Sequence, residues 1–335
     1  MIALAGCGGP DARAPFTDSR IPTGLEARFY PPAGWAWGLV KVGGNPPARY
    51  GVSAPPVRPR ADIMILASYG EPAETWFETA SELNGRGYVV WVLEPVGQGG
   101  SGRYSLPHDL GDAPSFDQDA VSASALAARF VRRRPLIVLA SRTSAPAAVR
   151  ALSADLRADG VILSAPALTP APEALLSKAS MMRGLGVGAL REAGSAGWTR
   201  AGPDDVALGL THDGRRGRVR LAWQTANPDL RMGGPSWRWR AAFADALQAA
   251  GAGSLSRLSE PVLILQPSRG LRPAQALCHR LARCTLQPFG PAGDALELEV
   301  DEPRKAWLDA VTAFVEADIA RFSPPPVEAR LAPEG

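Results

Sequence analysis

The sequence predicts an α/β domain built on a mostly parallel sheet with helices on both faces, interrupted by a helical insertion. Three observations lead to this expectation. Several predicted strands are continuous apolar runs, as is typical of strands buried on both faces. These runs alternate along the chain with helical segments, the pattern of parallel strands joined by crossover helices. The alternation stops near residue 167 and resumes after residue 255.

The first part of the alternation begins at residue 61, after a stretch rich in proline and glycine. The runs "DIMILA" (62–67) and "YVVWVLE" (88–94) are predicted strands. Between them lies an amphipathic helix, "AETWFETASELNGRG", which ends at Gly85 or Gly87. A glycine-rich loop and the helix "SFDQDAVSASALAARFV" follow. Upstream, "EARFY" and "WAWGLVKVG" are shorter strand candidates.

The second part supplies the remaining strands and defines the domain boundaries. "PLIVLA" (135–140) and "GVILSAP" (160–166) are predicted strands joined by a helix from Ala145 to Leu156. Beyond the insertion, strands at 261–266 and 284–289 flank a helix near 273–283, and a last helix spans 303–321. We therefore expect a flexible N-terminus (1–17), a core (18–166 and 256–322), an insertion (167–255) and a disordered tail (323–335).

The composition argues against several classes of partner. The chain has 335 residues and a formal net charge of +3, which is too small to predict binding to nucleic acid. No apolar run reaches the roughly 18 residues that a transmembrane helix needs. The segment "GQGGSG" (97–102) matches a dinucleotide-binding pattern, but loop-like residues follow it where that pattern requires a helix. We therefore expect no nucleotide, and we predict no other cofactor or metal.

The three cysteines leave alternatives open. Cys7 lies in "LAGCGGP", which resembles a bacterial lipobox, although "MIALAG" is too short to supply a complete signal. A true lipobox predicts a lipidated protein of the cell envelope, whereas a chance match leaves a cytoplasmic one. Cys278 and Cys284 form either a disulfide at a helix end or, in the interpretation that we favour, two buried free thiols. Their spacing fits no zinc motif.

Several segments occur in the order in which one enzyme family carries them. They are "GEPAETWFETASELNGRGY", "EPVGQGGSGR", "VILSAP", "LTHDGRR", "GGPSWRWRAAF" and "LELEVDEPRKAWLDAVTAF". The series spans about residues 61–320 and resembles the α/β-hydrolase superfamily, in particular its lysophospholipase and monoacylglycerol lipase (serine aminopeptidase-like) branch. The resemblance implies the α/β-hydrolase fold, a helical cap formed by residues 167–255, and a Ser-acid-His triad that hydrolyses carboxylic esters.

The turn after the third apolar run is where the resemblance places the nucleophile. If Ala140 and Ser144 are the small flanking residues, Arg142 occupies the nucleophile position. A frame shifted by one residue places Thr143 there instead, but the length of the preceding strand favours Arg142. Arginine cannot act as a nucleophile or a base, because its pKa stays above about 12.

The other two triad positions are also changed. The expected position of the acid falls at Gly270 in "PSRGLRPAQ", and that of the histidine falls at Asp294 in "PAGDALE". The chain has three histidines, and all of them precede the last predicted strand, whereas the general base should follow it: His108, His212 and His279. We therefore expect the standard triad to be absent.

The altered positions suggest two local arrangements. Because a nucleophile and its histidine touch in a working enzyme, we expect Arg142 and Asp294 to form an ion pair in their place. The backbone N–H groups of Tyr69 and Thr143 are candidates for a donor pair like an oxyanion hole, since such donors need no particular side chain.

Three functional hypotheses remain. The first is a non-catalytic homologue that binds an acyl lipid or another anion near Arg142, under the cap. The second is an active ester hydrolase with a displaced nucleophile, Ser141 or Ser144. The third is a scaffold whose cap surface binds a protein partner, and nothing in the sequence favours or excludes it.

Overall fold

The computed structural model describes residues 18–131, 135–250 and 258–322. Its centre is one eight-stranded sheet with the order β1-β2-β4-β3-β5-β6-β7-β8. The strands are β1 Ala36–Val40, β2 Ala48–Ser53, β3 Ala61–Leu66, β4 Tyr88–Leu93, β5 Leu136–Ser141, β6 Gly160–Ser164, β7 Val262–Gln266 and β8 Cys284–Pro288. β1 and β2 pair antiparallel, as do β2 and β4, whereas the strands from β3 to β8 are parallel. This confirms the predicted α/β-hydrolase fold.

The helices of the described residues connect the strands and cover the sheet. They are α1 Phe77–Gly85, α2 Asp117–Phe130, α3 Ala145–Ala154, α4 Glu173–Gly184, α5 Val219–Ala226, α6 Trp237–Ala249, α7 Leu271–Cys278 and α8 Asp301–Phe322. One face of the sheet packs on α2, α3 and α7, through residues such as Leu126, Val149 and Ala274. The other face packs on α1 and α8, through Leu83 and Trp307 among others. Strands with apolar partners on both faces explain the continuous apolar runs.

The N-terminal part differs from the sequence-based expectation. "EARFY" does not form a strand: Ala27–Phe29 is a 3-10 turn, and Phe29 packs into a cluster with Phe77 and Trp223. β2 was not predicted, because prolines flank it and a buried arginine, Arg49, lies within it. The carboxylate of Glu74 pairs with Arg49, which makes that burial tolerable.

The segment between β6 and β7 contains α4, α5 and α6, and it is tied to the loop before α2. Asp112 accepts hydrogen bonds from the Ser236 hydroxyl (2.7 Å) and from the Arg238 guanidinium. Asp109 accepts from the Arg191 guanidinium (3.0 Å) and from the backbone N–H of Trp198 (2.6 Å). These buried and half-buried contacts hold the insertion against the carboxyl ends of the parallel strands.

The cysteines of α7 and β8 are bonded to each other. Cys278 ends α7, Cys284 begins β8, and the two form a disulfide with their Cα atoms 5.4 Å apart, so the favoured interpretation of two free thiols is wrong. Cys7 lies outside the described residues, as do the predicted flexible terminus (1–17) and tail (323–335). Among the described helices, none combines the length and apolar character needed to cross a membrane.

Candidate functional site

The turn that follows β5 holds Arg142 at its apex. β5 ends at Ser141, a 3-10 turn spans Arg142–Ser144, and α3 begins at Ala145. Arg142 has a φ of +43°, a left-handed conformation that costs a residue with a Cβ roughly 1–3 kcal/mol. The strained residue of this strand-turn-helix is therefore Arg142 and not Thr143.

Two carboxylates hold the guanidinium of Arg142. Its Nη2 lies 3.0 Å from Glu71 Oε1, and its Nη1 lies 3.0 Å from Glu297 Oε1. Glu71 belongs to the loop after β3, and Glu297 to the segment before α8. The Arg142 side chain is 11% exposed, and those of the two glutamates are 3% and 1% exposed. The cation therefore joins three separate loops in an interior where few water molecules can screen it.

The charges in this network shift one another's ionisation. Burial disfavours the charged guanidinium, but the carboxylates of Glu71, Glu297 and Asp205 outweigh it and raise the pKa of Arg142 above its usual value. Burial raises the pKa of Glu297 to about 8, although Arg142 opposes the shift. Arg142 is thus permanently charged, whereas burial works against the ionised form of Glu297.

The predicted ion pair between Arg142 and Asp294 is wrong. The Asp294 carboxylate pairs instead with the exposed guanidinium of Arg269. A guanidinium extends several bonds beyond the place where a serine hydroxyl would end, and here it pairs with Glu71 and Glu297.

Gly270, at the expected position of the acid, adopts a φ of +94° immediately before α7. A Cβ there would lie 2.8 Å from Gln266 Nε2. A carboxylate side chain cannot be placed at this position without both backbone strain and displacement of Gln266.

The two backbone donors predicted at the turn are already occupied. The N–H of Tyr69 donates to Thr143 Oγ1 at 2.9 Å, and the N–H of Thr143 donates to Ser68 Oγ at 3.2 Å. The two hydroxyls also hydrogen-bond each other at 2.9 Å. Any other acceptor would have to displace these side-chain oxygens from the two N–H groups.

The candidate displaced nucleophiles lack a base. Ser144 Oγ lies 2.8 Å from the carbonyl oxygen of Leu66 and 2.9 Å from that of Ser141, so its hydrogen points at the main chain. Ser141 Oγ is buried and has no hydrogen-bond partner among the described residues. Activation of a hydroxyl needs a base within hydrogen-bond reach, and neither serine has one in the described part of the chain.

The histidines of the chain lie elsewhere. His212 Nδ1 is 2.8 Å from Glu299 Oε1, its side chain is largely exposed, and the pair links the insertion to the segment before α8. His279 is exposed at the end of α7, and His108 lies in the loop before α2. Within the described ranges, no cluster of His, Cys, Asp or Glu is arranged to bind a metal ion.

A cavity of about 350 Å³ opens between this network and the insertion. Two pairs of opposite charge lie in its wall, Glu71 with Arg142 and Asp205 with Arg220. The remaining wall is mainly apolar, with the large side chains Trp198, Leu208, Leu210, Leu221, Met232 and Leu298. The cavity can hold a small, mostly apolar molecule in contact with these two ion pairs.

The sequence analysis did not identify Glu71, Glu297 or Ser68 as site residues. Two of the segments that carry the family resemblance contain the glutamates: Glu71 lies in "GEPAETWFETASELNGRGY" and Glu297 in "LELEVDEPRKAWLDAVTAF", whereas Ser68 lies just before the first of these. The available signal was the arginine itself, since a buried guanidinium requires carboxylate partners near it. Spacing along the chain could not select which carboxylates these are.

Comparison with known families gives a consistent result. The family model described as serine aminopeptidase, S33, matches residues 57–269. No curated protein matches the sequence significantly.

Solved structures with a similar fold include three lipases and esterases. A soluble variant of monoglyceride lipase from Saccharomyces cerevisiae, in complex with a substrate analog, aligns with a TM-score of 0.64 and 14% identity, covering 84% of this chain and 96% of that one. The monoacylglycerol lipase of Paleococcus ferrophilus aligns with a TM-score of 0.61 and 14% identity over 80% and 98% of the two chains. A carboxyl esterase from Bacillus coagulans, in complex with glycerol, has a TM-score of 0.60 and 13% identity over 85% and 99%.

Proposed function

Because the chain belongs to the serine aminopeptidase family of α/β hydrolases, whose chemistry needs a serine nucleophile, we propose that it is a non-catalytic member that binds a lipid-like ligand. The observation that carries this proposal is Arg142 at the strained apex of the turn, fixed there by Glu71 and Glu297. A guanidinium cannot attack a carbonyl carbon or accept a proton in water. The ion network therefore occupies the place of the reaction chemistry.

The surrounding groups support the same conclusion. The carboxylate of Asp294 is engaged by Arg269, and position 270 is a glycine that no side chain can replace without strain. The N–H groups of Tyr69 and Thr143 are satisfied by hydroxyls, so a developing oxyanion would have to displace them. In this proposal the nucleophile, the base and the acid of a serine hydrolase site are missing, and the oxyanion donors are blocked.

Binding is the activity that the remaining architecture supports. The insertion acts in this proposal as the cap, and it encloses a largely apolar cavity that survives the loss of the triad. Cavities of this kind, with a few polar groups at one end, are typical of small-ligand sites. An acyl chain fits the apolar wall formed by Trp198, Leu221 and Met232.

The test is an esterase assay on purified protein with p-nitrophenyl butyrate. We expect no hydrolysis above the rate without protein, and no change in Ser141→Ala or Ser144→Ala. Ser153→Ala is the matched control, since Ser153 lies on α3 and its hydroxyl donates to the carbonyl of Val149, away from the turn. Hydrolysis that is lost in either turn variant but kept in Ser153→Ala would establish the alternative, an active esterase with a displaced nucleophile.

A further inference from the structure

The charges in the cavity wall are compensated before any ligand arrives. Arg142 is paired with Glu71 and Glu297, and Arg220 Nε lies 2.7 Å from Asp205 Oδ1. Three carboxyl groups thus face two guanidinium groups, and all three acids are at least nine-tenths buried. A negatively charged head group would meet no unneutralised cation in this part of the site.

The backbone N–H groups at the turn, which could also bind an anion, already have acceptors within the protein. A strand-to-helix turn often binds anions through free backbone N–H groups. Here the N–H of Thr143 donates to Ser68 Oγ, that of Tyr69 donates to Thr143 Oγ1, and that of Ser68 donates to Glu71 Oε2 at 2.6 Å. This arrangement removes the basis for the anion site considered from the sequence alone.

One acceptor in the wall is the carboxylate of Asp205. Asp205 lies in the insertion, lines the cavity and is 2% exposed. Its Oδ1 pairs with Arg220, whereas Oδ2 has no hydrogen bond to the described parts of the chain. A ligand in the cavity that donates a hydrogen bond to Oδ2 would form a charge-assisted bond with this carboxylate.

Resting on the proposed binding function, we propose that the cavity selects a ligand with an apolar chain and an uncharged, hydrogen-bond-donating head such as an alcohol, that it rejects carboxylates, and that Asp205 sets this choice. The aliphatic part lies against the wall that includes Leu208, Leu221 and Met232. The hydroxyl of the head donates to Asp205 Oδ2. A fatty-acid carboxylate in the same position would place a negative charge beside Asp205 and Glu71.

The experiment compares three probes of equal chain length by calorimetry and by the shift in melting temperature at pH 7.5. 1-Octanol is the donor, octanoate is the anion, and 1-methoxyheptane is an isomer of octanol that cannot donate. We expect octanol to raise the melting temperature and to bind at least about tenfold more tightly than octanoate, with the ether weaker than the alcohol.

Variants then test the role of Asp205. Asp205→Asn leaves Arg220 without its carboxylate, so we expect the preference for octanol over octanoate to fall by about fivefold or more. Asp204→Asn is the matched control, because the neighbouring side chain is only half-buried and its Oδ1 can keep its bond from the N–H of Ala207 as an amide. The preference should not change in this control.

The outcomes are distinct. Octanoate binding within about threefold of octanol or more tightly, or an ether that binds as well as the alcohol, would overturn the inference while leaving ligand binding in place. If none of the three probes binds, the proposed binding function itself fails, and this inference fails with it. The comparison among probes uses the wild-type chain, so it stands even if Asp205→Asn does not fold.

Discussion

Replacing Arg142 with methionine tests whether the ion network is a structural unit. The substitution keeps a long side chain and the strained φ of +43°, so the backbone cost is unchanged. It removes the only cation in contact with Glu71 and Glu297 among the described residues. Without this cation, one carboxylate of the pair must take up a proton in order to stay buried.

The cost of that proton depends on pH and sets the expected size of the effect. Protonating a group that ionises near 4.3 in the unfolded chain costs about 1.4 kcal/mol per pH unit above that value. This gives a loss of about 3–4 kcal/mol in the free energy of unfolding at pH 7, and about 1 kcal/mol at pH 5. The value at pH 7 agrees with the roughly 3–5 kcal/mol measured when one partner of a buried pair is removed.

Urea denaturation followed by tryptophan fluorescence at pH 5 and pH 7 measures this difference. The matched control is Arg150→Met, which breaks an ion pair with Asp117 whose two side chains are 54% and 57% exposed. Such exposed pairs contribute at most about 1 kcal/mol, with little pH dependence of this kind. A loss in Arg142→Met that equals the control at pH 7, or that does not shrink at pH 5, would show that the network does not stabilise the fold as described.

The same unit yields a recovery experiment. Adding Glu71→Gln and Glu297→Gln to Arg142→Met removes every charge of the network, and the new amide oxygen at position 71 can still accept the N–H of Ser68. Buried ionic groups can often be replaced together at little cost, so most of the lost stability should return. A triple variant that is less stable than Arg142→Met would contradict this reasoning.

Three further results are expected. The first concerns Glu297, whose pKa is raised from 4.5 to about 8 in the folded wild type. Its contribution to stability is therefore fully present below pH 4.5 and is lost as the pH rises towards about 8. The variant Glu297→Gln should show a smaller fall in melting temperature between these pH values. Breaking the disulfide by Cys278→Ser should lower the free energy of unfolding by about 2 kcal/mol, because the bond to Cys284 closes a loop of few residues. Reduction of the wild type with dithiothreitol should reproduce this loss in urea denaturation. Ser68→Ala should lower the free energy of unfolding by about 1–2 kcal/mol in the same assay, since it leaves the N–H of Thr143 without its acceptor. An unchanged midpoint of urea denaturation would mean that this amide finds another partner.

Much of the fold could be predicted because its signals are local. The parallel strands are continuous apolar runs, and a one-residue error in a run such as 135–140 against the observed Leu136–Ser141 does not change its place in the sheet. β2 was not predicted because its burial depends on distant partners: Arg49 within it pairs with the carboxylates of Glu74 and Glu94. The family resemblance and the strand length together indicated Arg142 at the apex of the turn, and Arg142 has a positive φ.

The partners in the site could not be predicted by position alone. Equivalence of positions suggested Asp294, on the assumption that new side chains meet where the old ones did. Arginine and aspartate do not have the lengths of serine and histidine, and the Arg142 guanidinium pairs with Glu71 and Glu297 instead. Which carboxylate meets a long cation depends on three-dimensional packing, and the spacing of residues along the chain does not encode it.

Arg142 and the occupied backbone donor of Thr143 are physically linked. Glu71 accepts from Arg142 with one carboxylate oxygen and from the N–H of Ser68 with the other, and the Ser68 hydroxyl in turn accepts from the N–H of Thr143. A continuous chain of hydrogen bonds thus joins the cation at the nucleophile position to the blocked donors. Placing a serine at position 142 would remove the cation from this chain, yet it would supply neither a base nor an acid. The turn therefore contributes ion-paired groups to the cavity wall, and a serine at position 142 would still need a base within hydrogen-bond reach before it could act as a nucleophile.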